Sequence, residues 1–224
     1  PRIMGMELKD HAWQDEPCVL VGGGPSLRSF PFHLLRDKPQ VMVINRAFLD
    51  VPTADIFITE DIRFLEKFGP TPEFRDFPGH KVFAMPDPCY LAKALEYCGP
   101  NLSAIHSREK AKGWSTSIVD GLSTSSNSGI PALDLMDILG ADPIYLLGFD
   151  CAKVENRISN YHNSYPEMWA TGSGQLDSFR SDFEHWAAPN LKRRKKNVIN
   201  LINPDMPSAI TCWPKEPWDK VFKI

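Results

Sequence analysis

The sequence predicts an α/β fold: a single Rossmann-like domain with a mostly parallel sheet, helices on both faces and a lid-like loop. Three observations predict it. Short apolar, β-branched runs alternate with stretches of helical pattern along most of the chain. One run, PIYLLGFD at residues 143–150, is apolar at successive positions, as parallel strands covered on both faces are. The earliest run, CVLV, stops at Gly22, Gly23, Gly24 and Pro25, a composition suited to a turn from a strand into a helix.

The elements follow in order. A first strand covers Cys18–Val21, and a helix is expected from residue 25 to about 36. QVMVIN (40–45) and ADIFITED (54–61) are the second and third strands, each ending in polar groups, and the helix IRFLEKFG follows the third. His80–Met85 forms a fourth strand, CYLAKALEYCG a helix closed by Gly99, and residues 101–107 a short strand. Residues 108–128 are polar and rich in Ser, Thr and Gly, which predicts a functional or flexible loop. In GIPALDLMDILG (129–140), Ile130, Leu133, Met136 and either Leu135 or Leu139 fall on one side of a helix that starts near Pro131 and ends at Gly140.

After the buried strand at 143–150, residues 151–174 are irregular and read as a lid. SFRSDFEHWA is a helix and NVINLI (197–202) the last strand, while the Pro- and Trp-rich tail from 203 to 224 is expected to wrap the surface. No internal repeat or break marks a second domain. The chain divides into an N-terminal extension (1–16), a Rossmann-like domain (17–212) and a C-terminal tail (213–224).

At 224 residues and 42% hydrophobic content, the chain can bury a sizeable core. A formal net charge of −3 argues against nucleic acid as a partner. No stretch approaches the roughly 18 consecutive apolar residues of a membrane span, and the N-terminus lacks the layout of a signal peptide, so a cytoplasmic location is expected. An opening Pro1 is expected of a sequence lacking its initiator methionine or an upstream piece. The five cysteines form no CxxC pair, which predicts buried thiols over a disulfide framework or zinc site.

A strand-to-helix turn needs glycine where the backbone takes positive φ or comes close to a ligand, and the helix start offers unpaired N–H groups to an anion. Gly22, Gly23, Gly24, Pro25 and Ser26 satisfy that demand. A dinucleotide fingerprint would place glycine where Leu27 stands and an acid where Asn45 and Arg46 stand, and a P-loop would need Gly-Lys-Ser/Thr. The turn therefore predicts a nucleotide site of another kind, or a purely structural tight turn.

STSSNSG (123–129) enters a helix, so Asn127, Ser128 and Gly129 form a second anion cradle or an ordinary N-cap. Asn45 closes the second strand; Glu60 and Asp61 close the third, where Asp61 is a ligand-orienting carboxylate or an N-cap. Asp150 opens the long loop as a catalytic group or as a loop anchor that accepts backbone N–H bonds. His162 lies between Tyr161 and Tyr165; as an exposed loop histidine it would keep a pKa near 6.5 and accept a proton, while a tyrosine assists a departing phosphate. KRRKK (192–196) reads as a solvated face at a helix C-terminus. There is no DxD pair and no His/Cys zinc spacing, so no metal ligand is assigned.

Taken together, VGGGPSL, VINRAF, SNSGIPALDLMDILGADPIYLLGFD and INPDMPSAITCWP resemble bacterial and phage-encoded MptE-like proteins. That group is related to archaeal 6-hydroxymethylpterin pyrophosphokinases and flagellin-modifying Maf glycosyltransferases. The same layout is similar to the sialyltransferases of glycosyltransferase family 42. The resemblance implies a Rossmann-like transferase in which Gly22 to Ser26 and Asn45 hold a nucleotide, with Ser128, Gly129, Pro207 and Ser208 around its base and ribose. It further implies that Tyr161, Tyr165 and His162 occupy the loop that carries the phosphate-contacting tyrosines and the base.

The reading that follows is a metal-independent glycosyltransferase. It would use a nucleotide-sugar donor and a glycan or small-molecule acceptor, and would need no other cofactor. One alternative is a magnesium-dependent diphosphotransferase acting on a pterin-like alcohol, with Asp61 and Asp150 on the metal. The other is a nucleotide-binding phage accessory protein without turnover.

Overall fold

Strand formation follows the apolar runs. The computed structural model describes residues 8–36, 38, 40–85, 87–98, 102–108, 113–153, 160–162, 172–206 and 208–222. Among them lie β1 (Cys18–Val21), β2 (Val41–Ile44), β3 (Ile56–Thr59), β4 (His80–Met85), β5 (Leu102–Arg108), β6 (Leu122–Ser123), β7 (Ile144–Leu147), β8 (Val198–Ile202) and β9 (Lys215–Pro217). They form one sheet in the order β6-β5-β4-β3-β2-β1-β7-β8-β9, every neighbouring pair parallel. Central β1 places Val19 beside Val41 on one side and Tyr145 on the other.

Both faces of the central sheet are covered, which is why β1 and β2 read as apolar at every position. Cys18 and Leu20 face one core, Val19 and Val21 the other. On the second face lie α1 (Ile62–Phe68), α2 (Pro72–Arg75) and α3 (Leu91–Cys98). Phe57 of β3 stacks on Phe64 of α1 at 5.6 Å and meets Phe74 of α2 edge-on at 4.9 Å. That aromatic packing fixes the β3–α1 junction, where Glu60 and Asp61 sit.

On the first face lies α4 (Gly129–Ile138), followed by α5 (Ser173–Asp182), a π turn over Phe183–Ala187 and α6 (Ala188–Arg193), while α7 (Trp218–Val221), past β9, packs on the second face. The expected one-sided α4 is instead buried at every residue, Asp134 and Asp137 included. It carries the chain from edge strand β6 back to β7 beside β1, so the sheet covers one side and other segments cover the rest. The N-terminal extension supplies one cover: the N–H groups of His11, Trp13 and Asp15 donate to the carbonyls of Ile138, Leu139 and Gly140 at 3.0, 2.7 and 3.0 Å.

Three other expectations change. Residues 25–36 form two 3-10 turns, Pro25–Ser29 and Phe32–Leu35, because Pro31 brings no N–H and holds Phe30 extended. The tail does not simply wrap the surface: Lys215–Pro217 pairs in parallel with β8 as the ninth strand. Within 108–128, the described residues hold a 3-10 turn at Ile118–Asp120 and strand β6. No described helix is long and apolar enough to cross a membrane. The described cysteines are free thiols, Cys18 and Cys98 buried and Cys89 exposed.

The two acids of α4 anchor neighbouring segments. Asp134 Oδ2 accepts the Ser123 N–H at 2.6 Å, and burial, helped by nearby Asp137, pushes the Asp134 carboxyl up from 3.8 to about 7. A carboxyl so raised contributes its full stability below its unfolded pKa and loses it as the pH climbs through the folded value. The wild-type melting temperature is therefore expected to fall between about pH 4 and pH 7. Asp134→Asn, which keeps an acceptor for Ser123, is expected to lessen that fall measurably, the rest coming from Glu60, Asp137 and Asp150, whose pKa values burial also raises. Melting curves of both proteins across this range check it, and parallel curves would refute it.

Candidate functional site

Strand order reverses beside β1: the chain runs outward through β2 to β6, then returns to β7 on the other side. In open parallel sheets the crevice at that switch point, outside the carboxyl ends of the strands, is where ligands bind. A cavity of about 450 Å³ lies there. It is lined by the ends of β1 (Gly22, Gly23, Gly24), β2 (Asn45, Arg46), β3 (Glu60, Asp61) and β7 (Gly148, Phe149, Asp150). The start of α4 (Asn127, Ser128, Gly129), the loop residues Tyr161 and His162, and Leu176, Phe179 and Phe183 complete it. Of the residues singled out from the sequence, Pro25, Ser26 and Ser208 do not line it, while Tyr165 and Pro207 lie outside the described residues.

The glycine turn differs from expectation in its physical reason. Gly24 is extended, with φ −69° and ψ 156°. A Cβ there would strike the Asp150 carboxylate and approach Gly148 O to 2.6 Å, so glycine is required by the close approach of the end of β7. Three of the N–H donors expected to face an anion are occupied: Gly22 N–H donates to Leu147 O at 2.8 Å, Gly24 N–H to Gly148 O at 2.8 Å, and Ser26 N–H to Asp150 Oδ2 at 2.9 Å.

Asp150 is thus the anchor of this turn. It is 2% exposed, and burial pushes its pKa up against the opposing pull of the Ser26 N–H. The Ser26 hydroxyl lies near the same carboxylate without closing a well-formed hydrogen bond. Ser208 supports the turn from behind: its hydroxyl donates to Phe149 O at 3.3 Å and accepts from Asn200 Nδ2 at 3.1 Å, while Ala209 N–H donates to Asp150 O at 2.7 Å.

The second cradle is also closed by its own chain. Asn127 Oδ1 accepts the Gly129 N–H at 3.0 Å, and the Ile130 N–H turns back to Asn127 O at 3.2 Å. Ser128 Oγ accepts the Glu60 N–H at 3.1 Å, which ties the start of α4 to the end of β3. Asn45 adopts φ +50°, a conformation asparagine tolerates well. Its Oδ1 accepts from Thr59 Oγ1 at 2.7 Å, so its amide NH2 is what it can offer a ligand.

Asp61 takes the capping role: its Oδ1 accepts the Arg63 N–H at 3.0 Å, and its two oxygens pair with the Arg63 guanidinium at 3.0 and 2.8 Å. Both carboxylates of the magnesium alternative are therefore engaged, Asp61 by Arg63 and Asp150 by Ser26. Among the described residues, no group of three His, Cys, Asp or Glu side chains is placed to hold a metal ion.

The loop residues change most. Tyr161 donates its hydroxyl proton to Asp50 Oδ2 at 2.6 Å, and burial, with Asp50, pushes its pKa up. It anchors the loop, with its N–H on Gly23 O at 3.1 Å, and has no proton aimed at a leaving group. His162 is not an exposed loop histidine. Burial, with Arg46 nearby, brings its pKa down to about 4, which leaves it neutral at pH 7 but a feeble base. Arg194, expected to be solvated, instead pairs with buried Asp137 at 3.0 Å.

Two features escaped the sequence reading. Burial, with like charge from Asp61 and Asp182, raises Glu60 to about 8. Leu176, Phe179 and Phe183 add an apolar wall to the cavity, Phe183 packing on Phe149 at 5.5 Å. An acid at a strand end was visible in the sequence; Ser125 and Asp182, which meet it only in the folded chain, were not.

Neither a family model nor a curated protein matches the sequence. Among solved structures, the fold is similar to that of the Maf glycosyltransferase from Magnetospirillum magneticum AMB-1, with a TM-score of 0.53 and 13% identity over 93% of this chain. The chain spans about a third of that protein, 34% of its length. The likeness establishes a shared Rossmann-like fold and does not extend to particulars of the pterin pyrophosphokinases or the family 42 sialyltransferases.

Proposed function

We propose that this protein is a nucleotide-binding transferase that moves a glycosyl group from a nucleotide-activated sugar to a hydroxyl acceptor without a metal. The observation that carries the reading is the mixed lining of the switch-point cavity, in which Asn45, Arg46 and Arg63 stand together with Phe149, Leu176, Phe179 and Phe183. A cavity of about 450 Å³ with convergent polar groups on an apolar ground is what an organic ligand of nucleotide size requires.

Phosphate binding falls largely to side chains, because the N–H groups of Gly22, Gly24, Ser26, Gly129 and Ile130 are occupied. A guanidinium carries five N–H groups, so Arg46 and Arg63 can each hold their present carboxylate and still address a phosphate oxygen. The fold shared with a glycosyltransferase supports the transfer of a sugar over other chemistry.

A thermal-shift screen with CMP, UDP, GDP, ATP and the corresponding nucleotide-sugars, with and without magnesium, tests the reading. At a ligand concentration one hundred times its Kd, stabilisation is about 2.7 kcal/mol, a rise of roughly 5–10 °C for a chain of this size. A magnesium-independent rise with one nucleotide and its sugar conjugate is expected. A rise confined to ATP with magnesium would favour diphosphoryl transfer, and no response to any of them would refute nucleotide binding.

A further inference from the structure

Glu60 stands at the carboxyl end of β3 in the wall of the cavity. Its N–H donates to Ser128 Oγ at 3.1 Å, and its carboxylate accepts the N–H of Ser125, so the segment opening α4 holds it on both sides. From α1 it is faced by Asp61 with its counter-ion Arg63, and from α5 by Asp182, whose Oδ2 accepts the Ser126 hydroxyl at 2.8 Å. The charges that act on it, Asp61 and Asp182, are both negative.

Resting on the glycosyl-transfer reading, we propose that Glu60 is the general base. Its carboxylate takes the hydroxyl proton of the acceptor as the acceptor oxygen bonds to the anomeric carbon. The bond from that carbon to the phosphate oxygen of the donor breaks, and its electron pair leaves with the nucleoside phosphate.

Four groups in the cavity could accept a proton, and their surroundings separate them: Asp61 is held by the N–H and the guanidinium of Arg63. Asp150 is buried against the Ser26 N–H and serves the glycine turn. His162, brought down to about 4 by burial and Arg46, gains little by taking a proton at pH 7. Glu60, raised to about 8 by burial and its two acidic neighbours, has a basicity matched to neutral conditions. About a tenth of it is ionised at pH 7, and the fraction grows as the pH rises through 8.

The test follows hydrolysis of CMP-, UDP- and GDP-sugars as release of the nucleoside phosphate, with water as acceptor, beside thermal shifts with the same compounds. In the wild-type protein the rate is expected to rise with pH and level off above about pH 8. Glu60→Gln, nearly the same shape, is expected to lose about 10²- to 10⁴-fold in rate and the pH dependence, while keeping its own melting temperature and the nucleotide shift. A Glu60→Gln protein that binds and turns over like wild type overturns the base assignment and leaves glycosyl transfer standing. One that loses the nucleotide shift makes Glu60 a binding group and equally overturns it. A wild-type protein that shifts with no nucleotide, or binds without hydrolysing any donor, overturns the transfer reading and this assignment with it.

Discussion

Arg194→Ala is expected to lower the unfolding free energy by about 3–5 kcal/mol, the usual cost of stranding one member of a buried ion pair. Asp137, with a side chain 1% exposed, receives Arg194 Nη1 at 3.0 Å and Trp114 Nε1–H at 3.0 Å on the same oxygen. Burial already raises the Asp137 pKa even with the arginine present. Without it, the chain must either bury an unpaired carboxylate or take up a proton, and the second course becomes easier as the pH falls. The deficit should therefore be larger at pH 8 than at pH 5. Arg194 Nη2 also donates to Ser115 O at 2.6 Å, so the segment leading to β6 loosens too. Urea denaturation at the two pH values measures the effect; a loss below about 1 kcal/mol at pH 8 would show that Asp137 does not depend on this partner. Replacing both residues, Arg194→Met with Asp137→Asn, should restore most of the loss, because no charge is then left buried.

Gly24→Ala is the second large effect, about 1–3 kcal/mol of destabilisation together with loss of nucleotide binding. The added methyl meets the Asp150 carboxylate and lies 2.6 Å from Gly148 O. Neither neighbour can retreat cheaply. Gly148 O accepts the N–H of Gly24 itself, and Asp150 holds the N–H of Ser26. Relief must come from moving the turn off the end of β7, which displaces the floor of the cavity. Gly23→Ala makes the control: its added carbon comes no nearer than 3.3 Å to Asn160 Oδ1, and a small movement accommodates it. Melting curves and thermal shifts on both variants should separate them clearly, and equal behaviour would mean that the turn is looser than its packing implies.

Much of the architecture was legible because it is local. Most of the strands are short runs of apolar and β-branched residues, and the observed ends coincide with those read from the pattern at Cys18–Val21 and His80–Met85, while β7 stops at Leu147, three residues before the end read for it. Of the two readings the sequence leaves open for Asp61, the structure shows the cap, which its place directly before an apolar periodic segment suggests. Other features depended on partners remote in sequence. Nothing local marks KEP at 215–217 as a strand: it pairs only because β8 presents an open edge. The 25–36 segment carries a helix-like composition, and Pro31 together with the docking of Phe30 on Trp218 and Phe222 decides for two short turns.

The candidate site divides along the same line. From the sequence alone came the fold class, the switch-point turn at Gly22–Gly24 and the polar strand ends at Asn45, Glu60 and Asp61, since each is written in consecutive residues. Tertiary structure decided what those groups can do. It bonded the N–H groups of Gly24 and Ser26 to Gly148 O and the Asp150 carboxylate, half-buried His162 beside Arg46, and gave the Tyr161 proton to Asp50. It also enclosed Glu60 between two acids. Protonation and hydrogen-bond availability are set by desolvation and by neighbouring charges, and both depend on residues that meet only when the chain is folded.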